Sequence, residues 1–131
     1  MKYVVRTSNF IGYMLKEAQR MGYKKILMAG HIGKFIKLSA GIFNTHSKVA
    51  DARSEILISN LALMKAPYDL LEKINENNYT EFYDKVSNKC RYKVKQYLGD
   101  DDTEVEVIMF SMDKTLLGKS DNTDSLVEVF R

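Results

Sequence analysis

The spacing of apolar residues changes several times along the 131-residue chain, and each change predicts an element. Tyr3-Val4-Val5 is a short β-branched run that predicts a strand, closed by Thr7-Ser8-Asn9. From Phe10 the period becomes helical, with Ile11, Leu15 and Ala18 on one face, Ser8 as the candidate N-cap and Gly22 as the stop. Lys24 to Ala29 (KKILMA) is short and continuously apolar at its centre, as a buried strand is, so the beginning of the chain predicts a βαβ unit. The strand runs into Gly30-His31-Ile32-Gly33-Lys34, after which Phe35, Ile36 and Ala40 predict a short helix closed by Gly41.

Beyond the loop GIFNTHS, in which Thr45 or Ser47 is a candidate cap, Val49, Ile56, Leu57, Leu61 and Met64 form the stripe of a helix from about Ser47 to Lys65. Pro67 suits the first turn of the next, through Leu70, Leu71 and Ile74 to near Asn77-Asn78. Thr80 opens a further helix reaching Leu98, with Gly99 as the stop and Asp100 to Asp102 as a solvated turn. Val105 to Phe110 begins as an alternating strand and becomes apolar throughout, and Leu126 to Phe130 alternates again, predicting a late strand or hairpin across LLGKSDNTD. The expected fold class is α/β: one domain over residues 1–131, with a largely parallel sheet flanked by helices and an antiparallel edge or hairpin at the C-terminal end.

Composition narrows the classes of function. With 45% apolar and 28% charged residues the chain is an ordinary globular domain, and a net charge of +3 names no partner. The lone Cys90 allows no internal disulfide and no cysteine-based zinc site, so a reducing cytoplasm is expected. No apolar run approaches the roughly 18 residues needed to cross a bilayer, and the N-terminal stretch lacks the apolar core of a signal peptide. No membrane partner is therefore expected.

Two polar constellations could carry chemistry. In GHIGK a glycine-containing turn leaves a strand and enters a helix, an arrangement that points backbone N–H groups at an anion, with Lys34 as a point charge and His31 as a donor or proton carrier. The same residues also suit a plain β-to-α turn. The dinucleotide fingerprint G-x-G-x-x-G is absent, and Gly118-Lys119-Ser120 lacks the glycine a P-loop needs at position 113, so it reads as a hairpin turn. The second constellation is Asn44, Thr45, His46, Ser47, Asp51, Arg53 and Glu55. His46, Asp51 and Glu55 have no companion histidine or cysteine spacing to support a metal, while His46 also suits a loop-fixing hydrogen bond and Lys48 with Asp51 a solvated ion pair. No protein metal site is expected.

A basic helix carries Lys85, Lys89, Arg91, Lys93 and Lys95 interleaved with Tyr83, Tyr92 and Tyr97, which raises RNA binding, but Val86, Cys90, Val94 and Tyr97 account for it as an amphipathic element with a basic outside. No nucleic-acid partner is expected. Met14, Met21, Met28, Met64, Met109 and Met112 read as core filler.

The segments TSNFIG and AGHIGKFIKLSAGIFNTHSKVADARSEIL closely resemble the second half of the cobalt-precorrin-5B C(1)-methyltransferases of anaerobic cobalamin synthesis. The likeness runs from Ser8 to about Asp113 and fades after Met64. Members of that family are longer and carry a Gly/Thr/Ala-rich segment near their start that has no counterpart here, so the chain is expected to be a C-terminal portion, inactive alone. The resemblance implies transfer of a methyl group from S-adenosylmethionine to ring carbon 1 of cobalt-precorrin-5B, with the missing N-terminal portion as a partner and a homo-oligomer left open. Cobalt would arrive inside the macrocycle. The ligand-binding candidates are Gly30, His31, Gly33, Lys34, Asn44, Thr45, His46, Ser47, Asp51 and Arg53, with no catalytic residue assigned. Lys34, Lys37, Lys48 and Arg53 suit clamps for the corrin carboxylates, and the Gly30–Lys34 loop equally suits the methionine carboxylate of the donor. The rival expectation is a non-catalytic corrin- or nucleotide-binding module.

Overall fold

Two strands lying parallel along their full length organise a computed structural model of the chain, which describes residues 4–6, 9–45, 53–63 and 80–130. Strand β1 (Lys25–His31) pairs with β2 (Glu104–Phe110) from Lys25 opposite Glu104 to His31 opposite Phe110. On the far side of β2, β3 (Leu116–Lys119) runs antiparallel, giving the order β1-β2-β3. The turn between them is tight: Lys114 takes φ 69°, and the Asp113 carboxylate accepts hydrogen bonds from the Ser111 hydroxyl and the Thr115 N–H, which lower its pKa. The described helices are α1 (Ile11–Arg20), α2 (Ile32–Leu38), α3 (Arg53–Leu63), α4 (Thr80–Leu98) and α5 (Thr123–Phe130).

Alternation along β2 sends Val105, Val107 and Met109 to one face, where all three are fully buried. Phe82, Val86, Cys90, Val94 and Leu98 recur every fourth residue on α4 and join them in one core with Phe35, Ile36 and Leu38 of α2 and Met28 of β1. The Cys90 thiol donates to the Phe35 carbonyl at 3.2 Å, fastening α4 to α2, and burial pushes its pKa up. Packing is close where α4 crosses β3. A Cβ at Gly118 would lie 2.5 Å from the Tyr83 carbonyl carbon, so only glycine lets helix and strand approach this far.

Where β3 stops, the free edge of β2 is satisfied by the Arg91 side chain and by both the side chain and the backbone of Ser120. Arg91 Nε donates to the Val105 carbonyl at 3.0 Å and to Glu106 Oε2 at 2.8 Å, while Val107 N donates to Ser120 Oγ at 2.8 Å and Ser120 N to the Val107 carbonyl at 2.9 Å. Glu106 lies on the opposite face of β2 from Val105 and is 3% exposed; its Oε1 also accepts from Ser120 Oγ and Asn122 N, both at 2.9 Å. These bonds seat α5 over the amino ends of the strands.

The α/β class, the parallel pair, the antiparallel C-terminal edge, the span of α4 and the glycine stops at Gly22, Gly41 and Gly99, all with positive φ, follow the expectation. Three assignments change. Val4 to Arg6 form no strand and Val4 is 100% exposed, so the first βαβ unit is absent among the described residues. Leu126 to Phe130 belongs to α5 rather than a strand: only Leu126 is buried there, and Val129, three residues on, sits at the rim. Gly118 and Lys119 lie within β3, and the hairpin turn lies upstream at Ser111 to Thr115. The N-cap position of α1 is Phe10, without a side-chain cap; Ser8, the helix predicted after Pro67 and the start of the one before it lie outside the described residues. Among the methionines, Met28 and Met109 fill the core, whereas Met21 and Met112 face solvent.

Gly118→Ala is expected to cost about 3 kcal/mol because the obstacle is helix backbone, against about 1 kcal/mol for Gly22→Ala, where only the left-handed φ is penalised; urea melts of both compare them. A second expectation concerns pH. The Asp102 N–H, the Thr103 hydroxyl and then Lys24 hold the Asp100 carboxylate at about 2, below its ordinary value of about 3.9. The unfolded chain therefore takes up this proton first, and the contribution of Asp100 to stability is complete above about pH 4 and lost as the pH falls towards 2. In urea titrations the gap between the wild type and Asp100→Asn should close across that window.

Candidate functional site

Parallel sheets present their loops for ligands at the carboxyl ends of the strands, and there β1 delivers Gly30 and His31 to the start of α2. The glycines serve different ends from those the sequence suggested. A Cβ on Gly30 would stand 2.5 Å from the Phe35 ring, so Gly30 makes room for that core side chain. Gly33 is the second residue of α2 and takes helical backbone; the left-handed glycines among the described residues are Gly22, Gly41 and Gly99. His31 holds the N-cap position in extended conformation and makes no side-chain cap. Its Nδ1 is the one buried side-chain polar atom among the described residues without a hydrogen-bond partner. Lys34 is partly exposed one turn away.

Lys37 is not a clamp. It is 2% exposed, and its Nζ donates to the Thr45 carbonyl at 2.9 Å, so the ammonium tethers the following loop instead of meeting a ligand. That loop is fixed from its other side by the start of α1. Phe10 and Asn44 form an isolated antiparallel bridge, Thr45 N donates to the Asn9 carbonyl at 3.2 Å, and the buried Thr45 hydroxyl donates to Asn9 Oδ1 at 3.3 Å. Gly12 N donates to the Phe43 carbonyl at 3.2 Å, and a Cβ on Gly12 would sit 2.9 Å from both Phe43 Cβ and the Tyr97 hydroxyl. Phe43 stacks on Tyr97 with ring centroids 4.2 Å apart. The two sequence segments that carry the family resemblance are thus laid against each other, a contact that hydrophobic periodicity could not announce.

Of the candidates, Gly30, His31, Gly33 and Lys34 share the β1–α2 junction, and Asn44 and Thr45 are joined to the end of α2 through Lys37. Thr45 donates its hydroxyl to Asn9, and the start of the helix for which it and Ser47 were candidate caps lies outside the described residues. Arg53 is the first residue of α3. His46, Ser47, Lys48 and Asp51 lie outside the described residues, and Glu55 is exposed on α3. Sequence reasoning missed Asn60, which is buried and links three helices: its Nδ2 donates to Ser39 Oγ at 3.3 Å and its Oδ1 accepts from Lys89 Nζ at 3.3 Å. The signal was a single amide inside the apolar stripe ILISNLAL.

The stacking platform that the basic helix suggested is taken apart by the fold. Tyr83 is buried, which pushes its pKa to about 12, Tyr97 lies under Phe43, and Tyr92 alone of the three is exposed. Arg91 is spent on Glu106 and Lys89 on Asn60. At the amino ends of β1 and β2, opposite the glycine loop, a cleft of about 280 Å³ is lined by Lys25, Glu104, Glu106, Arg91, Lys95 and the start of α5. The buried charge among them, Glu106, is paired with Arg91 at 2.8 Å.

A family model described as CbiD, C-terminal domain, matches residues 44–82 and 74–121. A curated relative from Clostridioides difficile (strain 630), named cobalt-precorrin-5B C(1)-methyltransferase, is 72% identical over 98% of this chain and 35% of its own length. Relatives of the same name from Listeria monocytogenes serotype 4b (strain CLIP80459) and Citrobacter koseri are 44% and 40% identical, over 98% and 95% of this chain and 38% and 37% of theirs. The chain therefore spans little more than a third of the length of these relatives. No solved structure matches it.

The tether has a measurable cost. Lys37→Met keeps the bulk but leaves the Thr45 carbonyl without its donor, and should lower stability by about 1–3 kcal/mol in denaturant melts, whereas Lys34→Met should leave the midpoint unchanged.

Proposed function

The chain belongs to the family described as CbiD, C-terminal domain, and on that premise we propose that it is the C-terminal portion of an S-adenosylmethionine-dependent enzyme that methylates carbon 1 of cobalt-precorrin-5B in cobalamin biosynthesis. The names of the relatives support the methyl transfer and its substrate, and the share of their length that this chain covers supports its being part of a longer polypeptide. The observation that carries the site assignment is His31: a buried ring nitrogen with no partner, at the carboxyl end of β1, inside the segment that resembles the family. An acceptor or donor on a bound ligand would complete it.

Methyl transfer from a sulfonium to carbon needs little acid–base help. The ring supplies an electron pair to the new carbon–carbon bond while the S–CH₃ bond breaks onto sulfur, leaving S-adenosylhomocysteine. Acceleration comes from holding donor and acceptor in line and excluding water. Stiff walls suit that task, and here Gly30 is pressed on Phe35 while Asn44 and Thr45 are bound to α1 and α2. Lys34 and Arg53 are the cations assigned to ligand carboxylates, Arg53 by its bidentate guanidinium. Cobalt belongs to the substrate, so the chain itself needs no metal ligand. Gly33, Asn44, His46, Ser47 and Asp51 complete the proposed surface.

The test is a chimera in which this chain replaces the matching third of the Clostridioides difficile relative. Anaerobic incubation with S-adenosylmethionine and cobalt-precorrin-5B should give repeated turnover by the chimera and none by the 131-residue chain alone. His31→Ala in the chimera should weaken calorimetric binding of either S-adenosylhomocysteine or a corrin analogue about tenfold, equivalent to about 1.4 kcal/mol, with an unchanged melt. Normal binding of both ligands would reduce the loop to a turn.

A further inference from the structure

A parallel strand pair is stable when both of its faces are covered, and here the coverage is unequal. On the inner face, Val107 and Met109 are fully buried under α2 and α4. The register places Leu27, Ala29 and His31 of β1 on the other face, beside Glu106, Ile108 and Phe110 of β2, with Leu116 of β3 opposite Phe110. Towards the amino ends this outer face is closed by α5, whose Leu126 is buried near Glu106. Towards the carboxyl ends Ala29 is exposed, Leu116 is 51% exposed, and Leu27, Ile108 and Phe110 are only partly buried. Eight helical residues span about 12 Å, whereas seven strand residues span about 23 Å, so α5 is too short to roof the sheet. Met112, 78% exposed in the adjoining turn, continues the apolar surface.

We propose that this outer face, centred on Ala29, Ile108, Phe110 and Leu116, is the seat of an apolar layer supplied by the other part of the longer polypeptide. The inference rests on reading the chain as one portion of a larger methyltransferase. Its grounds are the missing half of the sheet's cover and the length of the relatives, of which this chain accounts for 35% in the Clostridioides difficile protein. The face adjoins the carboxyl end of β1, so the docked layer closes over the strand that carries His31 and supplies the dry wall that methyl transfer requires.

Thiol labelling tests the proposal with little background in this chain, because Cys90 is fully buried and hydrogen-bonded to the Phe35 carbonyl. Ala29→Cys, Leu116→Cys and, as a control on the far side of the sheet, Tyr92→Cys are introduced one at a time into the 131-residue chain and into the chimera, whose other cysteines are replaced by serine. Circular dichroism melts confirm that each variant folds, and two reporters guard against the loss of one. In the chain alone all three should react with a maleimide at similar rates. In the chimera the two sheet positions should slow roughly tenfold or more while Tyr92→Cys does not. Equal rates in the chimera overturn the proposal, as does protection already present in the 131-residue chain together with a dimeric mass, which would assign the face to a second copy. Labelling is read without turnover, so a protected but inactive chimera supports the interface and tells against the methyltransferase reading alone.

Discussion

A carboxylate withdrawn from water sets the terms for the C-terminal half of this molecule. Desolvating Glu106 is worth several kcal/mol of penalty unless its oxygens are met, and three groups meet them. Arg91 comes from α4, Ser120 from the end of β3, and Asn122 from the turn into α5. Each must stand within hydrogen-bond distance, so one buried charge fixes the approach of a helix, the end point of a strand and the start of another helix. The hydrophobic core supplies the driving force on the inner face, while the carboxylate specifies the geometry at the edge.

The same division explains what was legible in the sequence. Strand β1, strand β2 and the long helix α4 carry apolar residues at the spacing their structures require, and glycines with positive φ close three segments where they were expected to. The C-terminal stretch misled because Leu126, Glu128 and Phe130 alternate with Val127 and Val129 over only five residues, too short a run to separate a strand from one and a half helical turns. Gly118-Lys119 looked like a turn because the requirement for glycine came from a helix more than thirty residues away. Val4-Val5 has the composition of a strand but forms none and is exposed; propensity alone does not bury a strand.

The candidate site was legible as a set of segments and not as an arrangement. Residue pattern and resemblance both picked out the GHIGK loop and the Asn44-Thr45 stretch, and the fold connects them through an ammonium ion, Lys37, that the resemblance had assigned to the corrin carboxylates. A lysine on a short helix reads as solvated until the chain that follows is known to fold over it. Asn60 is the converse case, a polar residue in an apolar stripe whose partners lie on α2 and α4. Both are buried polar groups whose partners are distant in sequence or hidden by a turn, and such groups are where reading by pattern is weakest.

The contact between Gly12, Phe43 and Tyr97 links α1, the loop after α2 and the last turn of α4 at a single point. No side chain larger than hydrogen fits at position 12 while both rings keep their places, and the stacked pair is in turn propped by Lys16, which lies 4.9 Å over the Tyr97 ring. Three positions separated by 31 and 54 residues therefore share one volume. The Cβ at 43 and the hydroxyl at 97 bound what can stand at position 12: any larger side chain there must push one of them aside. A substitution at any one of the three is thus a change in the surroundings of the other two.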